Sequence, residues 1–211
     1  MEIGWCIWTR KNRILLTFLV SLFFSCASEN KLEHPSTTLT IEGLSNATIV
    51  CRLGTGFFSG FFRQYASVEK KYSHIGIIRM ENGLPYVYHS EASEFTGVGF
   101  VKKEPLEVFL DGIAVYDFFE MAYAEEVKAK IIEQVDAYYL DKTPFDLAFD
   151  SFDNTELYCT ELIATSINQV LEKQAIQPSL LWNGKEIYAL DDIYLNENFT
   201  KIHLPLHTQG K

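Results

Sequence analysis

A disulfide scaffold is the first architecture this sequence excludes. Four cysteines occur in 211 residues, and two of them, Cys6 and Cys26, sit in an N-terminal segment that does not read as part of the folded body. Cys51 and Cys159 remain, enough for one bridge in an oxidising compartment but not for the framework of a small secreted domain. Basic residues are also in deficit. Eighteen Lys and Arg against 28 Asp and Glu give a net charge of -10, which leaves no phosphate-tracking surface, so nucleic acid is not expected as a partner. No apolar run approaches the roughly 20 residues of a membrane-spanning helix. A Gly-x-Ser-x-Gly elbow, a His-Glu-x-x-His helix and a Pro-Cys-x-x-Cys pair are all missing. Serine hydrolases and zinc enzymes therefore lose their usual marks, although His89-Ser90-Glu91 carries the His-x-Glu half of the zinc-deaminase pattern. No metal and no cofactor are expected.

What the chain does have begins at its N-terminus. Arg10, Lys11 and Arg13 precede a short apolar run at 14–24, followed by Ser25-Cys26 and a polar stretch. This is the layout of an export signal, and a cysteine after a small residue at its end resembles the processing site of bacterial lipoproteins. The division expected is an export signal over 1–26 with Cys26 as the lipid-bearing residue, a polar tether over 27–40, and one catalytic domain over 41–205. Such a protein would sit in the cell envelope of a bacterium, held to the membrane through its N-terminal lipid. At 47% hydrophobic residues the remainder can bury one sizeable core.

Along that domain, residues 48–53 read as a buried strand closed by Gly54-Thr55-Gly56. Phe57, Phe58, Phe61 and Phe62 follow, running into a helix over 63–71. Residues 74–80 and 85–92 are strands flanking Asn82-Gly83, a strong hairpin signal. A two-residue turn there makes paired residue numbers sum to 165, with His74 opposite Glu91 and Gly76 opposite His89, so His74, His89 and Glu91 share a face. Residues 108–116 are a strand candidate interrupted by Asp111-Gly112. Helices are expected over 122–140 and, capped by Asp153, Asn154 or Thr155, up to about residue 173. The rest reads as loop, a short helix at 191–195 and a final strand.

Leu157-Tyr158-Cys159-Thr160-Glu161 places a thiol in the first turn of that second helix. Unpaired N–H groups and the helix dipole favour the thiolate there, so a depressed thiol pKa is expected. A cysteine nucleophile needs an imidazole as base and acid, and the imidazole needs a polar group to fix its tautomer. His74 with Glu91, or with His89, meets those needs. Tyr158 flanks the nucleophile as a supporting residue.

Three segments, Ser-His-Ile-Gly-Ile-Ile at 73–78, Pro-Phe-Asp-Leu-Ala-Phe-Asp at 144–150 and Leu-Tyr-Cys-Thr-Glu-Leu-Ile at 157–163, resemble in order and spacing the permuted papain-like cysteine amidases of the YaeF/YiiX kind. These are circular permutants of NlpC-type cell-wall peptidases, and the likeness spans roughly residues 41–204. The resemblance implies an α+β papain-like fold with an antiparallel sheet packed against helices. It also implies Cys159 as nucleophile, His74 as base and acid, and Glu91 or His89 as the orienting residue. The function expected is hydrolysis of an amide in a wall peptide or an acyl amide through a thioester on Cys159, by a monomer. Two other readings stay open: a catalytically silent binding lipoprotein with the same cleft, and a lipid acyltransferase or esterase.

Overall fold

The computed structural model describes residues 42–151 and 153–204, so Cys26, the export signal and the tether lie outside the described residues. In chain order the elements are β1 (Ile49–Arg52), α1 (Phe57–Gln64), β2 (His74–Glu81), β3 (Leu84–Ala92), β4 (Gly99–Pro105), α2 (Leu106–Phe109), β5 (Tyr116–Met121), α3 (Glu125–Leu140), α4 (Cys159–Leu171), β6 (Leu180–Trp182), β7 (Lys185–Ile187), α5 (Asp191–Tyr194) and β8 (Phe199–Ile202). Six of the strands form one sheet in the order β4-β3-β2-β1-β5-β8, paired antiparallel throughout. Among the described residues no helix is long and apolar enough to cross a membrane.

Asn82 and Gly83 both hold positive φ, 53° and 82°. A two-residue type I′ turn needs this pair of conformations, and asparagine and glycine adopt them at least cost. The resulting register, Ile77↔Tyr88 through Glu81↔Leu84, is the one in which paired numbers sum to 165. Because side chains alternate across a strand, that register sorts the hairpin between two cores. Ile75, Ile77 and Tyr88 join Ile131, Val135, Leu162 and Ile163 under α3 and α4. Ile78 and Val87 join Val50, Leu106, Phe109 and Phe118 on the other face. His74 and His89 pack against Phe109 on this second face.

Several elements depart from the sequence reading. Helix α1 stops at Gln64, and Asp191 explains the stop: its carboxylate accepts N–H bonds from Ser67, Val68 and Glu69 and holds that stretch in a turn. The strand expected over 108–116 starts only at Tyr116, because Leu106–Phe109 forms a helical turn whose buried Leu106 and Phe109 fill the second core. Strand β4 and the β6–β7 hairpin have no counterpart in that reading. Helix α4 begins at Cys159, with Tyr158 as its extended N-cap, while Asp153 instead caps the turn at Thr155.

Gly99 pairs with Ala92 at the open end of the β3–β4 ladder. A Cβ there would meet the backbone of Glu91 and Ala92, which cannot rotate away as a side chain could. Gly99→Ala is expected to push β4 off β3 and cost about 1–3 kcal/mol in urea unfolding. An unchanged midpoint would show that the ladder end is free to adjust.

Candidate functional site

Cys159 is the first residue of α4, and the chain leading to it is tied down on several sides. Ser90 Oγ donates to the Leu157 carbonyl at 2.5 Å, and Leu157 N–H donates to the Pro144 carbonyl at 2.9 Å. The Tyr158 N–H donates to Glu161 Oε2 at 3.2 Å, while its hydroxyl accepts the Tyr188 N–H at 2.7 Å and bonds Ser151 Oγ at 2.8 Å. Asp146, buried in the 144–150 motif, accepts N–H bonds from Ala148 and Asp150. Tyr158 thus acts here as a brace for the helix start.

The sulfur of Cys159 lies 3.8 Å from Thr160 Oγ1, and the backbone N–H of Ile75 on β2 lies near enough to act on its pKa. The β2–β3 ladder runs only from Ile77↔Tyr88 outward, so strand β2 meets the thiol just where its pairing to β3 has ended. Contrary to the sequence expectation, the thiol pKa is not depressed. Burial pushes it up to about 11, outweighing the donors from Thr160 and Ile75 that pull it down. Cys51 is buried and Cys159 half-buried, both as free thiols.

His74, His89 and Glu91 do share one face. His74 Nε2 is 2.8 Å from His89 Nδ1, and His89 Nε2 is 3.1 Å from Glu104 Oε1. The β2–β3 ladder ends before the expected His74–Glu91 and Gly76–His89 pairs, and Glu91 Oε1 is 4.0 Å from His74 Nε2. The closer partner is the diagonal neighbour His89, because Arg52 at 2.9 Å and Lys102 at 2.7 Å draw the Glu91 carboxylate to themselves. The ring within hydrogen-bond reach of His74 is therefore His89, and Glu91 stands farther off. Phe109 backs both imidazoles, and the Arg52 guanidinium sits 4.1 Å over the same ring. Burial holds His74 well below the usual imidazole pKa, with His89 adding to the effect, and burial lowers His89 as well. Burial alone would raise Glu91, yet the adjoining imidazoles and Lys102 bring it to about 2.

Cys159, His74, Arg52 and Glu91 line one cavity of about 290 Å³. Much of the rest of its lining is aromatic. Phe149 is the hub, with ring centroids 5.4 Å from Phe62, 5.4 Å from Tyr158, 6.0 Å from Phe145 and 5.7 Å from Trp182. Of the phenylalanines read near 57–62, Phe62 lines this space. No hydrogen bond joins the thiol to His74 among the described residues, and His74 Nδ1 has no hydrogen-bond partner among them. Such contacts commonly close only with substrate bound.

Arg52, Lys102, Glu104, Phe109 and Trp182 were not singled out in the sequence. Lys102 and Glu104 lie in Gly-Phe-Val-Lys-Lys-Glu-Pro, whose three consecutive charged residues break the apolar–polar alternation that would mark a strand. Arg52 sits opposite His74 in the β1–β2 register, a pairing visible only once β1 is placed beside β2.

His74, His89 and Glu91 bring donor atoms within 4.8 Å of one another, so they are the place where a metal ion could gather ligands. The fit is poor. His74 Nε2 and His89 Nδ1 are engaged with each other, and both Glu91 oxygens are paired with cations. A dication would have to break these contacts beside two positive charges.

Two measurements follow from the protonation states. Alkylation of Cys159 by iodoacetamide in the free protein should be slow at pH 7 and climb as pH rises toward 11, since only the thiolate reacts; a plateau already reached near pH 6 would contradict the buried thiol. Glu161 is buried, and burial with nearby Asp146, Asp153 and Asp150 raises its carboxyl to about 9 from an unfolded value of 4.5. The folded state then holds a proton that the unfolded state has lost, so stability falls as pH rises from 4.5 to 9. By pH 7 that amounts to roughly 3 kcal/mol. Glu161→Gln, which keeps an acceptor for Tyr158 N–H, should flatten urea midpoints across this range. An unaltered pH slope would refute the assignment.

No protein-family model and no curated protein matches the chain. Among solved structures it is similar to the crystal structure of the metalloprotein YiiX from Escherichia coli O157:H7, with a TM-score of 0.63 and 17% identity over 77% of this chain and 98% of that one. At that identity the likeness is one of fold. The chain has a YiiX-like fold, a large antiparallel sheet with helices, and in this chain Cys159 and His74 line one cavity while His89 is buried behind His74.

Proposed function

We propose that this protein is a cysteine hydrolase of the permuted papain-like kind, acting on the acyl group of an amide or ester. The observation that carries the reading is the make-up of the cavity. A helix-start thiol and a histidine held by a second histidine open onto it, and the rings of Phe62, Phe145, Phe149, Tyr158 and Trp182 supply much of its lining beside the charged Arg52, Glu91 and Glu94.

The resting pair is neutral, so nucleophile and base act together. As the Cys159 sulfur attacks the carbonyl carbon, its proton passes to His74 Nδ1. Backbone N–H groups in the first turn of α4 face the oxygen on which charge develops. The imidazolium then gives its proton to the leaving amine or alcohol as the C–N or C–O bond breaks, and a thioester remains on Cys159. Water, deprotonated by His74, attacks the thioester; the carboxylic acid departs and the thiol is restored. His89 holds the His74 ring, and Glu91, kept ionised beside Arg52 and Lys102, stabilises the transient imidazolium. Such a protein would reach its substrate at the cell envelope, tethered through Cys26.

The aromatic lining favours an acyl chain over a polar wall peptide. Cys159→Ala should abolish hydrolysis of a long-chain N-acyl amide. Trp182→Ala should raise KM for that substrate roughly tenfold with little effect on kcat, as expected for lost uniform binding. Turnover of defined muropeptides in preference to acyl amides would reverse the substrate assignment. YiiX is called a metalloprotein, and in this chain the group of donors that a rival metal reading would use is His74, His89 and Glu91. One equivalent of zinc in the purified protein, lost in His89→Ala, would displace the thiol reading.

A further inference from the structure

We propose that Glu104, a residue that lies outside the cavity lining, sets the tautomer of His74 through His89 and so decides which nitrogen of His74 is the base. The chain of contacts is continuous: Glu104 Oε1 to His89 Nε2 at 3.1 Å, and His89 Nδ1 to His74 Nε2 at 2.8 Å. An ionised carboxylate only accepts, so His89 Nε2 carries the hydrogen. A neutral imidazole has one N–H, which leaves His89 Nδ1 as acceptor. His74 Nε2 must then be the donor in the bond between the rings, and His74 Nδ1 is left with its lone pair. That nitrogen is the one with no hydrogen-bond partner among the described residues. Both imidazoles are buried and held neutral, and the hydrogen bond from His89 keeps the Glu104 carboxyl below its ordinary value, as the chain of donors requires.

The surroundings make the assignment directional. Lys102 Nζ lies 3.7 Å from Glu104 Oε2, while Oε1 faces His89. An ammonium only donates. In Glu104→Gln the new carbonyl therefore turns to Lys102 and the amide NH₂ turns to His89 Nε2. His89 would then carry its hydrogen on Nδ1, His74 Nε2 would become the acceptor, and His74 Nδ1 would be protonated and useless as a base. Glu104 is a positioning residue in this scheme, since it touches neither the thiol nor the cavity. Glu104→Asp keeps a carboxylate and is the conservative control.

The test uses the full chain labelled with ¹⁵N, whose long-range histidine spectra distinguish Nε2–H from Nδ1–H tautomers without any substrate. The wild type should show His74 and His89 both as Nε2–H, Glu104→Gln should show both as Nδ1–H, and Glu104→Asp should resemble wild type. On an acyl-amide substrate Glu104→Gln should lose at least tenfold in kcat at unchanged KM, with most of it regained in Glu104→Asp. His74 as Nε2–H in the Glu104→Gln protein, or as Nδ1–H in wild type, would overturn the inference. The kinetic effect rests on His74 being the catalytic base; the tautomer does not, so inactivity of the wild type would refute the proposed function while the spectra still decide the role of Glu104.

Discussion

The register of the β2–β3 hairpin is the constraint on which the site depends. A type I′ turn at Asn82-Gly83 fixes which residues face one another, and the pleat then puts His74, His89 and Glu91 on one side and Ile75, Ile77 and Tyr88 on the other. A slip of one residue would turn both imidazoles into the core beneath α3 and α4 and expose the apolar set. The same strand brings the Ile75 N–H close to the Cys159 sulfur at the start of α4, so the thiol and His74 both lie beside the first residues of β2.

Burial gives the site its chemical character. A thiol at a helix start is ordinarily favoured as thiolate, but here the apolar surroundings oppose charge more strongly than Thr160, Ile75 and the helix terminus support it. His74 is pushed the same way, toward the neutral ring. The pair resembles a hydroxyl with its base more than a preformed thiolate–imidazolium ion pair. In the proposed mechanism charge then appears only when substrate excludes the remaining water and the proton moves with the attack. Glu91, ionised between Arg52 and Lys102, is a fixed negative charge near the ring that the proposed mechanism makes cationic.

Local signals in the chain recovered what local physics determines. Asn82-Gly83 yields the hairpin and its register, Cys159 falls at a helix start, and the antiparallel α+β plan follows from the mix of hairpins and amphipathic helices. What was missed depends on contacts between distant segments. His89 replaces Glu91 beside His74 because Arg52, on β1, and Lys102, on β4, capture the carboxylate. Helix α1 ends early because Asp191, more than a hundred residues away, captures the following N–H groups. The thiol pKa reverses direction because its environment is assembled from β2, α4 and the aromatic loop, and no window around Cys159 contains that information. Phe149 and Trp182 come into ring contact although the whole of helix α4 lies between them in the chain.

The central claim is that Cys159 carries the acyl group of the substrate, and acid-quenched intact mass spectrometry tests it most directly. Mixed with an activated long-chain acyl ester and quenched within seconds, the protein should gain one acyl mass on Cys159, labile to hydroxylamine and lost with time as the thioester hydrolyses. The adduct should be absent from Cys159→Ala and strongly reduced in His74→Ala. A folded protein that stays unmodified, or that is acylated elsewhere with Cys159 free, would contradict the account.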